Sequence, residues 1–242
     1  MLKALTIVAA LAACRGEGGL SLPASSSLSP YARSSPLLVA QAQQGGALAN
    51  RLRGGSGFVE KHTGITFPET VKAGSKLLKF IGAGERKKAI LGPVAVNVYA
   101  VGMYVDSDAA KAAAPKDEKS ANKALLEGSY PKALKIVMAR TVGAEKIGNA
   151  LAESLEPRVK GTDAPLDAFK SFFGSMSKLE TNNEIDFIQM GSDLQVSALG
   201  QKKTFSSAPL CKAMFDIYLG ESPVSVHAKE SMVAGLLKMC GK

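Results

Sequence analysis

The longest run of strand-forming residues lies between Val94 and Val105, and it carries apolar side chains in both directions. Successive side chains of a strand point to opposite faces. One face would therefore hold Val94, Val96 and Val98, and the other Ala95, Asn97, Tyr99, Val101 and Met103. Because both sets are mostly apolar, the pattern predicts a long strand that is covered on both sides.

Shorter strands are predicted before and after this one, with turn signals between them. Their predicted bounds are Thr63–Phe67, Leu77–Ile81, Ala89–Leu91, Ala133–Ala139, Glu184–Met190, Leu194–Leu199 and Gln201–Phe205. The sequences Gly82-Ala83-Gly84 and Gly92-Pro93 predict turns, and Gly191-Ser192-Asp193 predicts a hairpin.

Helical spacing dominates the segments between and after these strands. Ile147, Leu151 and Leu155 recur at every fourth residue, and Pro157 predicts the end of their helix. Further helices are predicted at Asp106–Ala114, Lys119–Glu127, Leu166–Met176, Ala208–Leu219 and Val226–Cys240. Strands followed by helices, twice over, predict an α+β fold with an antiparallel sheet.

Residues 1–57 have the composition of a targeting leader, and we expect them to be disordered. Met1–Ala13 has one lysine before a run of about ten apolar residues, which is too short to span a bilayer and fits a signal-peptide core. Leu20–Gly57 is serine-rich, contains arginines and has no Asp or Glu, as in a transit peptide. Together these features resemble a bipartite plastid leader and predict delivery to the chloroplast stroma, without an integral membrane span.

Two other destinations remain open for the same segment. Leu11-Ala12-Ala13-Cys14 resembles a bacterial lipobox, in which Cys14 would carry lipid and the serine-rich stretch would be a tether. The third possibility is simple secretion. These alternatives would make the protein a lipid-anchored or secreted envelope protein.

Charge and composition exclude several classes of function. The net charge of the chain is +9, but the leader holds five basic residues and one acidic residue, which leaves 25 basic and 20 acidic residues elsewhere. No basic run is interleaved with aromatic residues, so we expect no nucleic-acid partner. With His62 and His227 as the two histidines and no paired cysteine spacing, the sequence predicts neither a metal site nor a cofactor.

Arg86 and Tyr99 are the candidate binding residues, since both lie in an apolar, strand-rich segment. A buried guanidinium needs an anion, and a nearby phenol can hydrogen-bond to the same anion. Facing an apolar cavity, the two would form a receptor for a long-chain carboxylate. The alternatives are a surface arginine after a turn and a core tyrosine with a satisfied hydroxyl.

Several segments together resemble the chalcone isomerase family. They are Ile65-Thr66-Phe67-Pro68, Gly82-Ala83-Gly84-Glu85-Arg86, Ile90-Leu91-Gly92, Val98-Tyr99-Ala100-Val101-Gly102-Met103-Tyr104, Phe215-Asp216-Ile217-Tyr218-Leu219-Gly220-Glu221 and Pro223-Val224-Ser225. The resemblance covers residues 58–242. It implies an open-faced β-sandwich, in which helices are layered on a large antiparallel sheet.

The family includes true isomerases, which convert chalcones to flavanones, and non-catalytic fatty-acid-binding proteins. Arg86 matches the family's arginine, Tyr99 replaces its first threonine, and Asn149 matches its asparagine. The helix tyrosine and second threonine of the isomerases align near Val142 and Ile217, so most of the polar groups that stabilise an oxyanion are missing.

This sequence is therefore similar to the fatty-acid-binding branch. The resemblance implies that Arg86, Tyr99 and Asn149 bind a fatty acid or a similar amphipathic carboxylate, with no catalytic residue, no metal and no cofactor. We assume a monomer. The alternative function is an intramolecular lyase of the chalcone isomerase type.

Overall fold

A computed structural model describes residues 57–91 and 94–242. The predicted leader, apart from Gly57, and the predicted Gly92-Pro93 turn lie outside the described residues, as does Cys14. Plastid delivery and its two alternatives therefore stay predictions. No helix in the described ranges is long and apolar enough to cross a membrane.

Seven antiparallel strands form the main sheet, in the order β11-β10-β9-β6-β5-β4-β3. Two small two-stranded sheets, β1–β2 and β7–β8, accompany it. The strands are β1 (Phe58–Val59), β2 (Thr66–Phe67), β3 (Thr70–Ala73), β4 (Lys76–Leu91), β5 (Val94–Val105), β6 (Lys132–Met138), β7 (Val142–Gly143), β8 (Lys178–Leu179), β9 (Glu184–Met190), β10 (Asp193–Ala198) and β11 (Gln201–Ser206). The predicted hairpin at Gly191 joins β9 to β10 and is confirmed.

Six helices lie in the described part of the chain. They are α1 (Ser107–Ala112), α2 (Glu118–Glu127), α3 (Ala144–Val159), α4 (Leu166–Gly174), α5 (Ala208–Leu219) and α6 (Val226–Met239). Ser207 and Ser225 cap α5 and α6 by accepting hydrogen bonds from Leu210 N and Ala228 N. Helix α3 continues through Pro157, so the predicted stop at that residue is wrong by two positions.

Both faces of β5 are covered, as its pattern predicts. Tyr99, Val101 and Met103 belong to the main core between the sheet and the helices. Ala100 packs on the opposite face with the β2 residue Phe67, and Tyr104 packs there in a neighbouring cluster. This arrangement confirms the predicted α+β class, in which helices are layered on a large antiparallel sheet.

The predicted turn at Gly82-Ala83-Gly84 is wrong, because β4 runs through it without a break. The glycines allow close contact with α6 instead. A Cβ at Gly82 would lie 2.5 Å from the carbonyl carbon of Ser231, and a Cβ at Gly84 would lie 2.5 Å from Ala228 N. Turn residues and close-approach residues look alike in a sequence, since both roles are met by glycine.

A second difference occurs at a bulge in the β4–β5 pair. Arg86 pairs with Tyr99, but Lys87 pairs with Asn97, so Val98 is an extra residue in β5. Val98 and Tyr99 consequently both pack against the main core, whereas Asn97 donates a hydrogen bond to the His62 carbonyl 2.9 Å away. The predicted placement of Asn97 on the Tyr99 face is therefore wrong.

Lys132, the first residue of β6, is buried and provides a test of the packing. Its Nζ donates to the carbonyl oxygens of Leu125, at 2.6 Å, and Gly128, at 3.0 Å, near the end of α2, and lies 4.7 Å from the Phe215 ring centre. Burial lowers the pKa of Lys132 from 10.5 to about 8, against a small opposing effect of Cys211.

Between pH 8 and 10.5, the pKa of Lys132 in the unfolded chain, this side chain is deprotonated in the folded protein but protonated in the unfolded chain. The folded protein therefore binds fewer protons, and its stability rises with pH. We expect the free energy of unfolding to increase by about 1–2 kcal/mol between about pH 8 and pH 9.5. Urea denaturation of wild type and Lys132→Met at several pH values tests this, because the variant lacks the titrating group. An equal pH dependence in both proteins would contradict the expectation.

Candidate ligand-binding site

The β4–β5 pairing brings Arg86 and Tyr99 together. The two residues are thirteen positions apart in the sequence but directly opposite each other in the register. Residues paired in this way project to the same face of the sheet. Tyr99 is buried in the main core, and Arg86 is half-buried at its margin.

Tyr218 is a third member of the site, and the sequence analysis assigned it no binding role. It projects from α5, and its hydroxyl lies 2.9 Å from the Tyr99 hydroxyl in a buried hydrogen bond. The family resemblance pointed to the adjacent residue, Ile217, which is buried as well. Ile217 and Tyr218 are adjacent in the helix, and a single sequence does not show which of the two faces Tyr99.

Both phenols stay protonated in the folded protein. Burial raises the pKa of Tyr99, and the hydrogen bond to Tyr218 and the charge of Arg86 offset only part of that rise. Burial and the neighbouring Tyr99 raise the pKa of Tyr218 further, with Arg86 again opposing. The site therefore presents one permanent positive charge beside two neutral phenols, one of which donates its proton to the other.

Arg86 has no carboxylate partner among the residues that the structure describes. Its Nη1 donates to the Lys87 carbonyl oxygen, and no ion pair joins it to an acidic side chain of the described ranges. Glu85, the nearest acid in the sequence, is engaged by His62, Lys87 and His227 instead. A half-buried guanidinium without an internal anion is an arrangement that suits an external one.

Glu85 is ionised and lies in contact with these three partners. Burial by itself raises the pKa of Glu85, but hydrogen bonds from His227, from its own backbone and from Lys87, with the charge of His62, lower it to about 2. The carboxylate therefore does not act as a proton donor in this pocket.

An open pocket of about 300 Å³ lies beside the guanidinium. Its walls come from β4 and from the start of α6, and they are formed by Glu85, Arg86, Lys87, Val224, Ser225, Val226 and His227. Ser225 Oγ donates to the Glu85 carbonyl oxygen at 2.6 Å, which fixes the first turn of α6 against β4. An enclosed apolar cavity behind Tyr99 stays a prediction.

Asn149 belongs to α3 and not to the β4–β5 pair. It is exposed on α3, whose neighbouring residues Ile147 and Leu151 face the core. No hydrogen bond within the described residues connects it to Arg86 or Tyr99. Its role in binding stays a prediction of the resemblance, and the geometry favours Tyr218 as the third polar group.

Comparisons with known proteins agree on one family. The family model described as chalcone isomerase-like matches residues 59–234. A fatty-acid-binding protein 1 of Arabidopsis thaliana is 30% identical over 194 residues, which cover 72% of this chain and 68% of that protein. Chalcone isomerase-like protein 1 of Humulus lupulus is 26% identical over 195 residues, which cover 73% of this chain and 89% of that protein.

A solved structure shows the same fold. The crystal structure of an Arabidopsis thaliana fatty-acid binding protein superposes with a TM-score of 0.67 at 25% sequence identity, and the match covers 77% of this chain and all of that one. The recognised segments of β4, β5 and α5 lie within the matched family region. The chain therefore belongs to the chalcone isomerase-like family.

Proposed function

We propose that the protein binds a free fatty acid, with Arg86 holding the carboxylate and the phenols of Tyr99 and Tyr218 donating to it. The observation that carries this proposal is a half-buried guanidinium that has no carboxylate partner among the described residues and lies next to two buried hydroxyl groups. Two relatives are named fatty-acid-binding proteins, and a crystal structure of a protein with that name has the same fold, which supports the same class of ligand.

The energies fit this ligand class. Each hydrogen bond between a guanidinium and a carboxylate contributes about 1.5–3 kcal/mol, and a planar guanidinium can make two of them. Burial of an acyl tail adds about 0.8 kcal/mol for each CH₂ group, or roughly 10 kcal/mol in gross terms for twelve carbons. Association and ordering costs remove much of this total, which leaves micromolar affinity within reach.

The proposal assigns no catalytic residue. The helix tyrosine and the second threonine of the isomerases align near Val142 and Ile217, neither of which can polarise a carbonyl group. The names of two relatives, both called fatty-acid-binding proteins, support a binding role as well. We therefore expect purified protein to leave the spontaneous rate of naringenin chalcone cyclisation unchanged, and an acceleration that Arg86→Ala abolishes would overturn the binding role in favour of an intramolecular lyase.

Ligand binding can be tested by thermal melting and by intrinsic fluorescence. Laurate at about 100 times its dissociation constant stabilises a protein by about 2.7 kcal/mol, which raises the melting temperature of a domain of this size by about 5 °C or more. The chain has no tryptophan and five tyrosines, so ligand entry between Tyr99 and Tyr218 should also change the tyrosine emission.

1-Dodecanol is the matched control, since it has the same chain length without the carboxylate. Mass spectrometry of lipid that copurifies with the protein identifies the natural ligand. Protein that carries no acyl chain, and whose melting temperature is the same with and without laurate or palmitate, would contradict the proposed function.

A further inference from the structure

The two histidines of the chain meet at one buried carboxylate. His227 Nδ1 lies 2.9 Å from Glu85 Oε1, and His62 Nδ1 lies 3.0 Å from Glu85 Oε2. The two imidazole rings are stacked, with centres 5.4 Å apart and an angle of 13° between their planes. His62, Glu85 and His227 come from three separate parts of the fold, so their positions in the sequence do not reveal the cluster.

The surrounding fold fixes the backbone around these three residues. Glu85 lies in β4 beyond Lys79, the last residue of that strand that pairs with β3. His62 lies between β1 and β2, and its carbonyl accepts a hydrogen bond from Asn97 of β5. His227 is in the first turn of α6, which Ser225 anchors to the Glu85 carbonyl. The cluster therefore joins the β1–β2 hairpin to α6 across β4.

We propose that His62, Glu85 and His227 form a binding site for a divalent transition-metal ion, with Zn²⁺ as the ion of choice. Each residue offers one ligand atom, and all three of these atoms lie within 4.8 Å of one another. Two imidazole nitrogens and one carboxylate oxygen are a ligand set that Zn²⁺ accepts, at distances of about 2.0–2.2 Å. A carboxylate that is 3% exposed, beside imidazoles that are 47% and 58% exposed, gives a fixed ligand with open access.

The polar contacts of the cluster are incomplete in a way that an ion would resolve. Glu85 Oε2 is buried and accepts no hydrogen bond within the described residues, although His62 Nδ1 is close to it. The same Nδ1 also lies 3.1 Å from Glu60 Oε1. One ring nitrogen carries at most one proton and so can donate to only one of these carboxylates. A cation between them would attract both oxygens and the deprotonated nitrogen.

The remaining coordination position has two candidates. Glu60 is 3% exposed, and its carboxylate is already oriented by hydrogen bonds from the Thr63 hydroxyl, at 2.6 Å, and the Thr63 amide, at 2.8 Å. Water is the other candidate. Lys87, whose Nζ lies 3.2 Å from Glu85 Oε1, is exposed enough to swing away when an ion replaces its charge.

Zinc titration of the untagged full chain tests the site in the absence of lipid, so its outcome is independent of the proposed fatty-acid binding. After removal of metal with EDTA and dialysis, calorimetry with ZnCl₂ is expected to show one ion for each chain. His62→Ala and His227→Ala are each expected to weaken the affinity by at least about 10-fold, the lower end of the range for lost interactions at metal sites. Glu153→Gln, which removes an exposed carboxylate on α3, is the matched control and should bind like wild type.

Cobalt provides a second readout of the same ligands. Co²⁺ bound by nitrogen and oxygen ligands in four-coordinate geometry absorbs strongly in the visible range, and this absorption should be lost in the double variant His62→Ala/His227→Ala. Both histidines have exposed side chains, so the test does not depend on Glu85→Gln, whose buried position can affect folding. Wild-type protein that binds no Zn²⁺ at micromolar concentration, or a double variant that binds it equally well, would overturn the proposal.

Discussion

Replacing Arg86 with methionine is expected to weaken laurate binding by about 100-fold or more. Methionine keeps much of the apolar volume of the arginine stem but removes the positive charge and every donor. The loss of even two charge-assisted hydrogen bonds at about 1.5–3 kcal/mol each accounts for this factor. Isothermal titration with laurate measures the change directly, and the laurate-induced rise in melting temperature should disappear in parallel.

Two companion variants show whether the effect comes from the site. Arg140→Met makes the same exchange at an exposed arginine just after β6 and should retain wild-type affinity. Arg86→Lys keeps the charge without the planar fork, so its affinity is expected to lie between those of wild type and Arg86→Met. If Arg86→Met and Arg140→Met bind laurate equally well, Arg86 does not hold the carboxylate.

Replacing Gly235 with alanine is expected to lower the free energy of unfolding by about 3 kcal/mol or more. Gly235 lies in α6 where the helix crosses β4, and a Cβ there would lie 1.4 Å from the carbonyl oxygen of Ile81. The obstructing atoms belong to the backbone, so no side-chain rotation can make room. Helix and strand would have to separate, and the apolar contacts on either side of the crossing would loosen.

Gly174→Ala is the matched control for this substitution. Gly174 is the last residue of α4, and a Cβ there meets nothing within 4 Å. Alanine has the higher helix propensity, so the control should be as stable as wild type or slightly more stable. Urea denaturation of the three proteins gives the comparison, and similar midpoints for Gly235→Ala and Gly174→Ala would show that α6 does not pack on β4 as described.

Local patterns predicted most elements of this fold. The bounds of β5 and α5 agree with the predicted Val94–Val105 and Ala208–Leu219. Five of the twelve residues of β5 are valines, and α5 has helical spacing after a serine cap. Predictions failed where a residue acts at a distance. The glycines of β4 serve contacts with a helix more than 140 positions later, and the bulge at Val98 depends on how β4 and β5 pair.

The candidate site divides in the same way. Arg86 and Tyr99 could be identified because the resemblance is specific in β4 and β5. The pairing of these two strands places both side chains on the same face of the sheet. Tyr218 could not, because its meeting with Tyr99 depends on the rotation of α5 over the sheet. The two histidines gave no signal either, since nothing in their separate surroundings shows that both approach Glu85.

The hydrogen bond between the Tyr99 and Tyr218 hydroxyls restricts which chemical groups can bind between them. This bond is 2.9 Å long and buried, so a ligand that breaks it must offer both phenols new hydrogen bonds. A carboxylate has enough lone pairs to accept from both phenols and from Arg86, whereas the ester group of a bound acyl chain has fewer acceptor sites and no charge. Under the proposed function, the protein would bind free fatty acids released by hydrolysis but not the esterified acyl chains of intact glycerolipids.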